Sequence, residues 1–350
     1  MGGTIGWGVV GAGWVARDYV GPGIAASANG RVVAACDLDP AALGAFLPDR
    51  DLERTTSLDA LLARDDVDAV YVATPNDAHL GPVRAAAAAG KAVLCEKPVA
   101  RTLAEAEALL GAAQAAGVPY GTAFDQRFHP AHVALRELIA GGALGTVTAV
   151  RIRYACWTGP DWSPDENPHD NWRADPERAG GGAFLDLAPH GLDLTQVLLD
   201  EPITDVAALL QRRVHDYAVD DGAALVGRTE GGALLNLSVA YNCPDTFPRR
   251  ELEVVGTRGR ALALNTMGQT PGGTLTLTDA EGGAAAVPFD GTASPFRLQV
   301  EAFADALLRG EPFAWSPAHD LHTMRLLDAA LGEPSARVPA PPEAAPPVSA

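Results

Sequence analysis

Positive charge is scarce in this chain: 350 residues carry 26 Lys and Arg against 44 Asp and Glu, a net charge of −18. Binding a phosphate backbone or an anionic bilayer needs clustered cations, so this balance argues against a nucleic-acid or membrane-surface partner. It leaves room for one anion held at a helix N-terminus. Cysteine is scarce too. Cys36, Cys95, Cys156 and Cys243 form no C-x-x-C pair and no zinc spacing. A disulfide-stapled secreted domain is implausible on that count, and reduced thiols in a cytoplasm are the simplest reading. There is no run of ~20 apolar residues to span a bilayer. The apolar stretch 1–15 lacks a basic flank and is broken by six glycines, so it reads as strand and turn, not signal peptide. Gly6 stands where N-myristoylation wants Ser or Thr. No internal repeat is present. What the chain does hold is apolar side chain, 47% of residues, enough for a sizeable core.

Strand-like and helix-like segments alternate at first. Short apolar runs at 5–10, 31–36, 69–73, 92–95 and 120–124 are separated by helical patterns at 57–64, 78–89 and 103–116. Ser57 and Thr102 suit N-caps, and Gly90 and Gly117 suit helix stops. That rhythm predicts an α/β fold with a doubly wound parallel sheet over 1–125. Beyond it the pattern changes. A helix near 131–140 precedes a long strand at 146–157, and further strands follow at 207–214, 222–227, 233–240, 251–255 and 274–278. These predict an α+β domain over 126–332 with a large, mainly antiparallel open sheet, closed by helices at 296–308 and 318–331. Residues 333–350, with six prolines, read as an extended tail.

Gly11-Ala12-Gly13-Trp14-Val15-Ala16 fits G-x-G-x-x-[G/A], follows an apolar strand and opens a helix. Asp37 ends the next strand 21 positions after Ala16, the interval a dinucleotide fold requires. Gly11 allows the tight turn, Gly13 lets backbone approach a pyrophosphate, and Ala16 lets helix and strand pack closely. Asp37 can accept hydrogen bonds from ribose hydroxyls and repels a ribose 2′-phosphate, which favours NAD over NADP. Arg50 and Arg54 are the cations that could fold back and reverse that preference.

Three further segments sit where open α/β sheets bind ligands or follow such a site. They are Thr74-Pro75-Asn76-Asp77-Ala78-His79, then Cys95-Glu96-Lys97-Pro98, then Gly180-Gly181-Gly182 leading to Asp186-x-x-x-His190-x-x-Asp193. Oxidising an alcohol with NAD needs a base for the hydroxyl proton, and His190, with an ordinary pKa of about 6.5, suits that task. Asp186 lies four residues earlier, on the same face if both are helical, where its carboxylate could orient or tune the imidazole. Pro189 suits a first helical turn, which would instead put Asp186 at or before the cap. Lys97 can donate to the substrate oxygen and stabilise alkoxide character.

Together and in this order, the four motifs resemble the glucose–fructose oxidoreductase/inositol dehydrogenase (Gfo/Idh/MocA) family, from the Gly11 loop to the final helices. The resemblance implies a Rossmann domain followed by an α/β domain with an open sheet. It also implies metal-free hydride transfer at a hydroxyl of a polyhydroxylated small molecule, and a homodimer or homotetramer formed through the outer sheet face. It places the catalytic group on Lys97, Asp186 and His190. Thr74, Pro75, Asn76 and His79 would line the cofactor, with Glu96 near the ribose or nicotinamide; His79 could alternatively serve as a helix-start residue. Arg127 would make a cofactor or substrate contact or, alternatively, an interdomain salt bridge. Trp172 and Arg173 would reach toward the nicotinamide end. Tyr241 and Asn242 read as structural. The loop 154–171, with Trp157, Asp161, Trp162, Asp165, Glu166, His169 and Asp170, suits a hydroxyl- or amine-bearing ligand; Pro168 and the lack of a repeated spacing argue against a metal there. Two other activities fit the same motifs: a redox-neutral, NAD-dependent glycosidase, and a nucleotide-sensing regulator without catalysis. Keeping Lys97, Asp186 and His190 together argues against the regulator.

Overall fold

The computed structural model describes residues 3–164 and 171–332. Asp165, Glu166, His169 and Asp170 of the acidic loop, and the tail 333–350, lie outside the described residues. The first half runs β1 (Ile5–Val10), α1 (Gly21–Ala25), β2 (Gly30–Cys36), α2 (Pro40–Ala45), β3 (Glu53–Thr55), α3 (Leu58–Leu62) and β4 (Ala69–Val72). It continues with α4 (Leu80–Ala88), β5 (Ala92–Glu96), α5 (Leu103–Ala116) and β6 (Tyr120–Ala123). All pairs in this sheet are parallel and the order is β3-β2-β1-β4-β5-β6, the doubly wound arrangement whose direction reverses between β1 and β4. Local chemistry sets the helix ends. Ser57 accepts from the Ala60 N–H and Thr102 from the Glu105 N–H, while Gly117 closes α5 at φ +67°.

The second half runs α6 (Pro130–Ala140), β7 (Val147–Ala155), α7 (Pro176–Ala179), α8 (Ala183–Leu199), β8 (Ile203–Gln211), β9 (Gly222–Thr229) and β10 (Leu234–Ala240). Then come β11 (Arg250–Gly256), β12 (Gly259–Leu264), β13 (Thr274–Asp279), β14 (Ala284–Ala286), α9 (Pro295–Arg309) and α10 (Pro317–Ala330). The eight strands order as β14-β13-β12-β11-β7-β10-β9-β8, antiparallel except where β7 and β10 run parallel. The sequence pattern missed β3, β12 and β14 and started β8 four residues late. β3 and β14 are three residues each, and β14 is all alanine, so neither carries alternation to read.

Period-2 alternation splits the first sheet between two cores. Trp7, Val9, Ala69 and Tyr71 face one layer; Val10, Val70, Val72 and Val93 face the other. The first layer is completed from the far end of the chain, by Phe296, Val300 and Phe303 of α9. The second is continuous with α5, α8, α10 and the inner face of the eight-stranded sheet. Almost every residue of α8 is buried, which explains why its apolar positions run all round the helix. The outer sheet face exposes Leu209, Val226 and Leu234 among ion pairs such as Arg228–Asp205 and Arg153–Glu251. Among the described residues no helix is long and apolar enough to cross a membrane, and all four cysteines are free.

Candidate active site

The glycine loop leaves β1 at the switch point. Gly11 sits at φ +89°, and an added Cβ would lie 2.7 Å from the Ala73 backbone and 2.8 Å from the Thr74 nitrogen, so only glycine lets the loop cross the end of β4. Gly13 is the opposite case: a Cβ there would meet nothing within 4 Å. Its outer side is an open cradle at the mouth of a helical turn, the place and shape a pyrophosphate needs. Ala16 is fully buried in the Trp7 core and opens a π-turn, Ala16–Val20, that leads into α1. Val15 packs against the same core. Asp37 stands at the end of β2 and accepts from the Ala12 N–H at 2.7 Å and the Asp39 N–H at 2.8 Å, tying the glycine loop to the end of that strand. Arg54 does not fold back onto it. Its guanidinium donates to the carbonyls of Leu43, Phe46 and Leu47.

Past β4, Thr74 caps its turn by donating to the Ala78 carbonyl, and Pro75 precedes the short helix Asn76–Ala78. Asn76 and His79 turn inward. The Asn76 amide donates to the Ala179 carbonyl at 2.9 Å, tying α7 to the nucleotide sheet. His79 is buried, with Nε2 3.0 Å from the Thr74 carbonyl and Nδ1 3.3 Å from the Val99 carbonyl. Of its two expected roles His79 takes that of the helix-start residue, at the N-cap of α4. The ring stands between the two carbonyls, donates to one of them through its single N–H, and braces the two loops from behind.

The motif after β5 delivers the reactive lysine. The Lys97–Pro98 peptide is cis. Lys97 Nζ donates to Asp186 Oδ1 at 2.6 Å and to the Asp186 carbonyl at 3.2 Å. Glu96 turns the other way and accepts from the Tyr71 hydroxyl at 2.7 Å, and burial raises its carboxyl pKa.

Asp186, His190 and Asp193 all ride on α8, but the helix begins earlier than Pro189 suggested. Gly182 is its N-cap, and Asp220 caps it from the loop before β9, accepting from the Gly182 N–H at 2.8 Å and the Phe184 N–H at 2.7 Å. A Cβ on Gly182 would lie 1.8 Å from the Asp220 carbonyl oxygen, which is why glycine stands there. Asp186 is thus inside the first turn, not at or before the cap, and Pro189 lies within the helix. Toward His190 Asp186 acts through its charge, which favours the protonated ring, and not through a hydrogen bond. Its carboxylate is drawn sideways to Lys97 and to the Tyr241 hydroxyl, which donates at 2.7 Å. Lys97, Arg173 and these hydrogen bonds hold the Asp186 carboxyl far below its ordinary pKa despite burial, so it is ionised.

His190 sits edge-on to Phe124 and Tyr154. Its Nδ1 is buried without a hydrogen-bond partner, and the nearest carboxylate oxygen is Asp125 Oδ1 at 3.9 Å. Burial and the charge of Lys97 push its pKa down to about 3, so the ring is neutral at neutral pH and able to take a proton.

Arg127 makes buried ion pairs, both to residues within the span 126–332. The guanidinium is fully buried, bonds Asp193 through two nitrogens at 2.9 and 2.6 Å, reaches Asp320 at 2.7 Å, and lies between the Phe124 and Trp315 rings. Through Nε and Nη2 the guanidinium braces α8 against α10, while Nη1 is buried without a hydrogen-bond partner. Among the described residues Asp193, His319 and Asp320 have metal-ligand spacing, but Arg127 already supplies the cation between the two carboxylates. Trp172 and Arg173 stay at the mouth. Arg173 lies over the rings of Trp172, Trp162 and Trp14, at 4.5, 5.1 and 5.8 Å, so the glycine loop and the loop before α7 meet through one cation.

Two protein-family models cover most of the chain: an oxidoreductase family with an NAD-binding Rossmann fold over residues 5–124, and a GFO/IDH/MocA C-terminal domain over residues 132–262. A 1,5-anhydro-D-fructose reductase of Ensifer adhaerens is 34% identical across 93% of this chain and 97% of its own length. The chain belongs to the GFO/IDH/MocA family of oxidoreductases. A D-xylose 1-dehydrogenase (NADP(+)) of Haloferax volcanii is 34% identical across 78% of this chain and 80% of the relative. An aldose-aldose oxidoreductase of Caulobacter crescentus, solved with glycerol, superposes with a TM-score of 0.83 at 25% identity, covering 93% and 97% of the two chains. In this GFO/IDH/MocA chain the residues sequence reasoning missed are Tyr241, read as structural, and Asp125, passed over beside Arg127. Both stand at the ends of strands, β10 and β6, and that position was the available signal.

Proposed function

We propose that the protein is an NAD(H)-dependent oxidoreductase that moves hydride between nicotinamide and a secondary alcohol or ketone of a sugar, amino-sugar or cyclitol. The observation that carries this is the Lys97–Asp186 pair, 2.6 Å apart at the end of β5, with the neutral His190 one turn further along α8. Gly11, Ala12, Gly13, Trp14 and Val15 would hold the pyrophosphate, with Ala16 packed behind the loop, and Asp37 would hold the adenosine ribose. Thr74 and Pro75 would form the wall, and Trp172 and Arg173 the nicotinamide end. The bound nicotinamide supplies the hydride acceptor or donor. Lys97 donates a hydrogen bond to the substrate oxygen, stabilising negative charge as it develops there. Asp186 fixes the ammonium, and Tyr241 fixes Asp186. His190 takes the hydroxyl proton in oxidation and returns it in reduction. The tryptophan faces at the mouth suit the apolar face of a sugar ring.

The test follows nicotinamide absorbance and substrate consumption together, over aldoses, anhydro-sugars, amino-sugars, cyclitols and glycosides, with NAD and NADP and in both directions. Net NADH formation, or net NADH oxidation with a ketone, is the expected result. Glycoside consumption without net NADH would overturn it in favour of the redox-neutral activity.

Cofactor choice is tested separately. Asp37→Ala is expected to lower the preference for NADH over NADPH by about tenfold or more, the worth of one charge-assisted hydrogen bond, as read by fluorescence titration of each nucleotide. An unchanged preference would mean Asp37 does not face the ribose. We further propose that copies pair through the outer sheet face, where Leu209, Val226 and Leu234 are exposed. Light scattering should then give the mass of a dimer or tetramer, and a monomer at micromolar concentration would refute it.

A further inference from the structure

Once Asp186 is committed to Lys97 and Tyr241, His190 is left without the carboxylate that a proton-transferring imidazole usually has behind it. The structure supplies another. Asp125 begins the short helix Asp125–Phe128 directly after β6, so its carboxylate is delivered to the same end of the sheet as Lys97. It is 5% exposed, and Oδ1 lies 3.9 Å from the unpartnered Nδ1 of His190. The other oxygen accepts from the Gln126 amide at 3.3 Å. We propose that Asp125 is the positioning carboxylate of His190: it accepts from Nδ1–H, fixes the tautomer that aims the Nε2 lone pair at the substrate hydroxyl, and offsets the imidazolium charge. The proposal rests on the reading of this site as one for hydride transfer.

The chemistry requires such a group. In oxidation the substrate O–H bond breaks as the C–H pair leaves as hydride, and the proton moves to His190 Nε2. The Nδ1 proton stays on nitrogen, and Asp125 stays ionised. A neutral imidazole in an apolar pocket, with the Lys97 cation nearby, is a poor place to put that proton. An ionised carboxylate behind the ring makes it a good one, the logic by which a buried Asp supports a hydrolase His. At 3.9 Å the pair is outside hydrogen-bond range in this ligand-free arrangement, and catalytic hydrogen bonds commonly tighten when substrate arrives.

The groups facing Asp125 are Glu96 and Lys97 from the end of β5, Tyr71 from β4, Tyr154 from β7 and His190 from α8. His190 in turn faces Lys97, Asp186 and Asp193. Burial, reinforced by the Glu96 charge, pushes the Asp125 carboxyl up to about 7. Below that pH Asp125 is protonated and cannot accept from Nδ1–H. Turnover in the oxidative direction should therefore fall as pH drops through about 7.

Asp125→Asn is the test. It is expected to keep nucleotide binding and thermal stability, to lose turnover at least about 30-fold, and to lose the acid limb of the pH profile. The Asn amide can donate to Nδ1 and so selects the wrong tautomer. In Asp125→Ala, added formate should restore part of the turnover, which a purely structural role does not predict. Turnover within about threefold of the parent, with the acid limb intact, would overturn the proposal. A second readout needs no substrate. In side-chain NMR of isotope-labelled histidine, the His190 ring signal should step near pH 7 in the parent and not in Asp125→Asn. Identical titrations would refute the pairing. A step at His190 without any nicotinamide turnover would instead fault the assigned reaction.

Discussion

Lys97→Ala is expected to lower turnover by at least about 100-fold while leaving nucleotide affinity within a few-fold of the parent. The lysine donates twice to Asp186, and in the proposed reaction it also donates to the substrate oxygen. Its loss removes the hydrogen bond that strengthens as alkoxide charge develops, and such donors typically contribute about 100- to 1,000-fold. A second effect points the same way. Asp186 is held ionised chiefly by Lys97, so without it the carboxyl moves back up toward the range burial dictates and no longer has a partner to position. The loss should fall on kcat more than on KM, because the interaction belongs to the transition state. The glycine loop is untouched, so NADH titration gives the control. The chain helps the experiment, since it has only two lysines, Lys91 and Lys97. Lys91 Nζ donates to the Arg64 carbonyl, on a different part of the molecule. An amine-directed reagent that inactivates the enzyme, and whose effect NADH blocks, can be mapped to one of two sites. Turnover within about threefold of the parent in Lys97→Ala would remove Lys97 from the chemistry.

The parts of this molecule that were legible in sequence are those where one local rule decides. A glycine crossing a strand end, Gly11, and the acidic residue that ends the next strand, Asp37, announce themselves by type and interval. So do the caps Ser57, Thr102 and Gly117. What local rules could not give is which partner a buried polar side chain chooses. Asp186 and His190 share a helix face, as the four-residue spacing says, yet Asp186 pairs with a lysine 89 positions away and a tyrosine 55 positions away. A bare ammonium and a carboxylate in a desolvated site attract more strongly than a carboxylate and a neutral ring. The same principle draws Arg127 to Asp193 and Asp320. Motif spacing placed these residues around one site. Their division into reacting groups and supporting struts depends on contacts between β6, α8 and α10 that no single segment encodes. Asp220 illustrates the limit: it caps α8 across 38 positions, so nothing beside the glycine run reveals where that helix begins.

His190→Ala is expected to cost at least about 100-fold in turnover, within the 100- to 10,000-fold that a positioned acid–base group contributes, or about two to four decades. The argument for the imidazole over its neighbours is one of protonation state. Asp186 is ionised but occupied by Lys97 and Tyr241. Tyr241 and Tyr154 are phenols whose pKa values burial raises far above neutral, so neither accepts a proton at pH 7. His190 alone is neutral, unpartnered at Nδ1 and beside the pair that faces the substrate. Without it, the hydroxyl proton must leave to water or hydroxide. Oxidation by His190→Ala should then rise with pH, approaching tenfold per unit, over a range where the parent profile is flat. Ketone reduction should fall along the same slope, because its proton must come from solvent. A deuterated substrate separates this from a misfolded site: hydride transfer still has to occur, so a primary isotope effect should persist in the slow variant. If His190→Ala turns over within about fivefold of the parent with an unchanged pH profile, another group carries the proton, and Asp125 then has no ring to position.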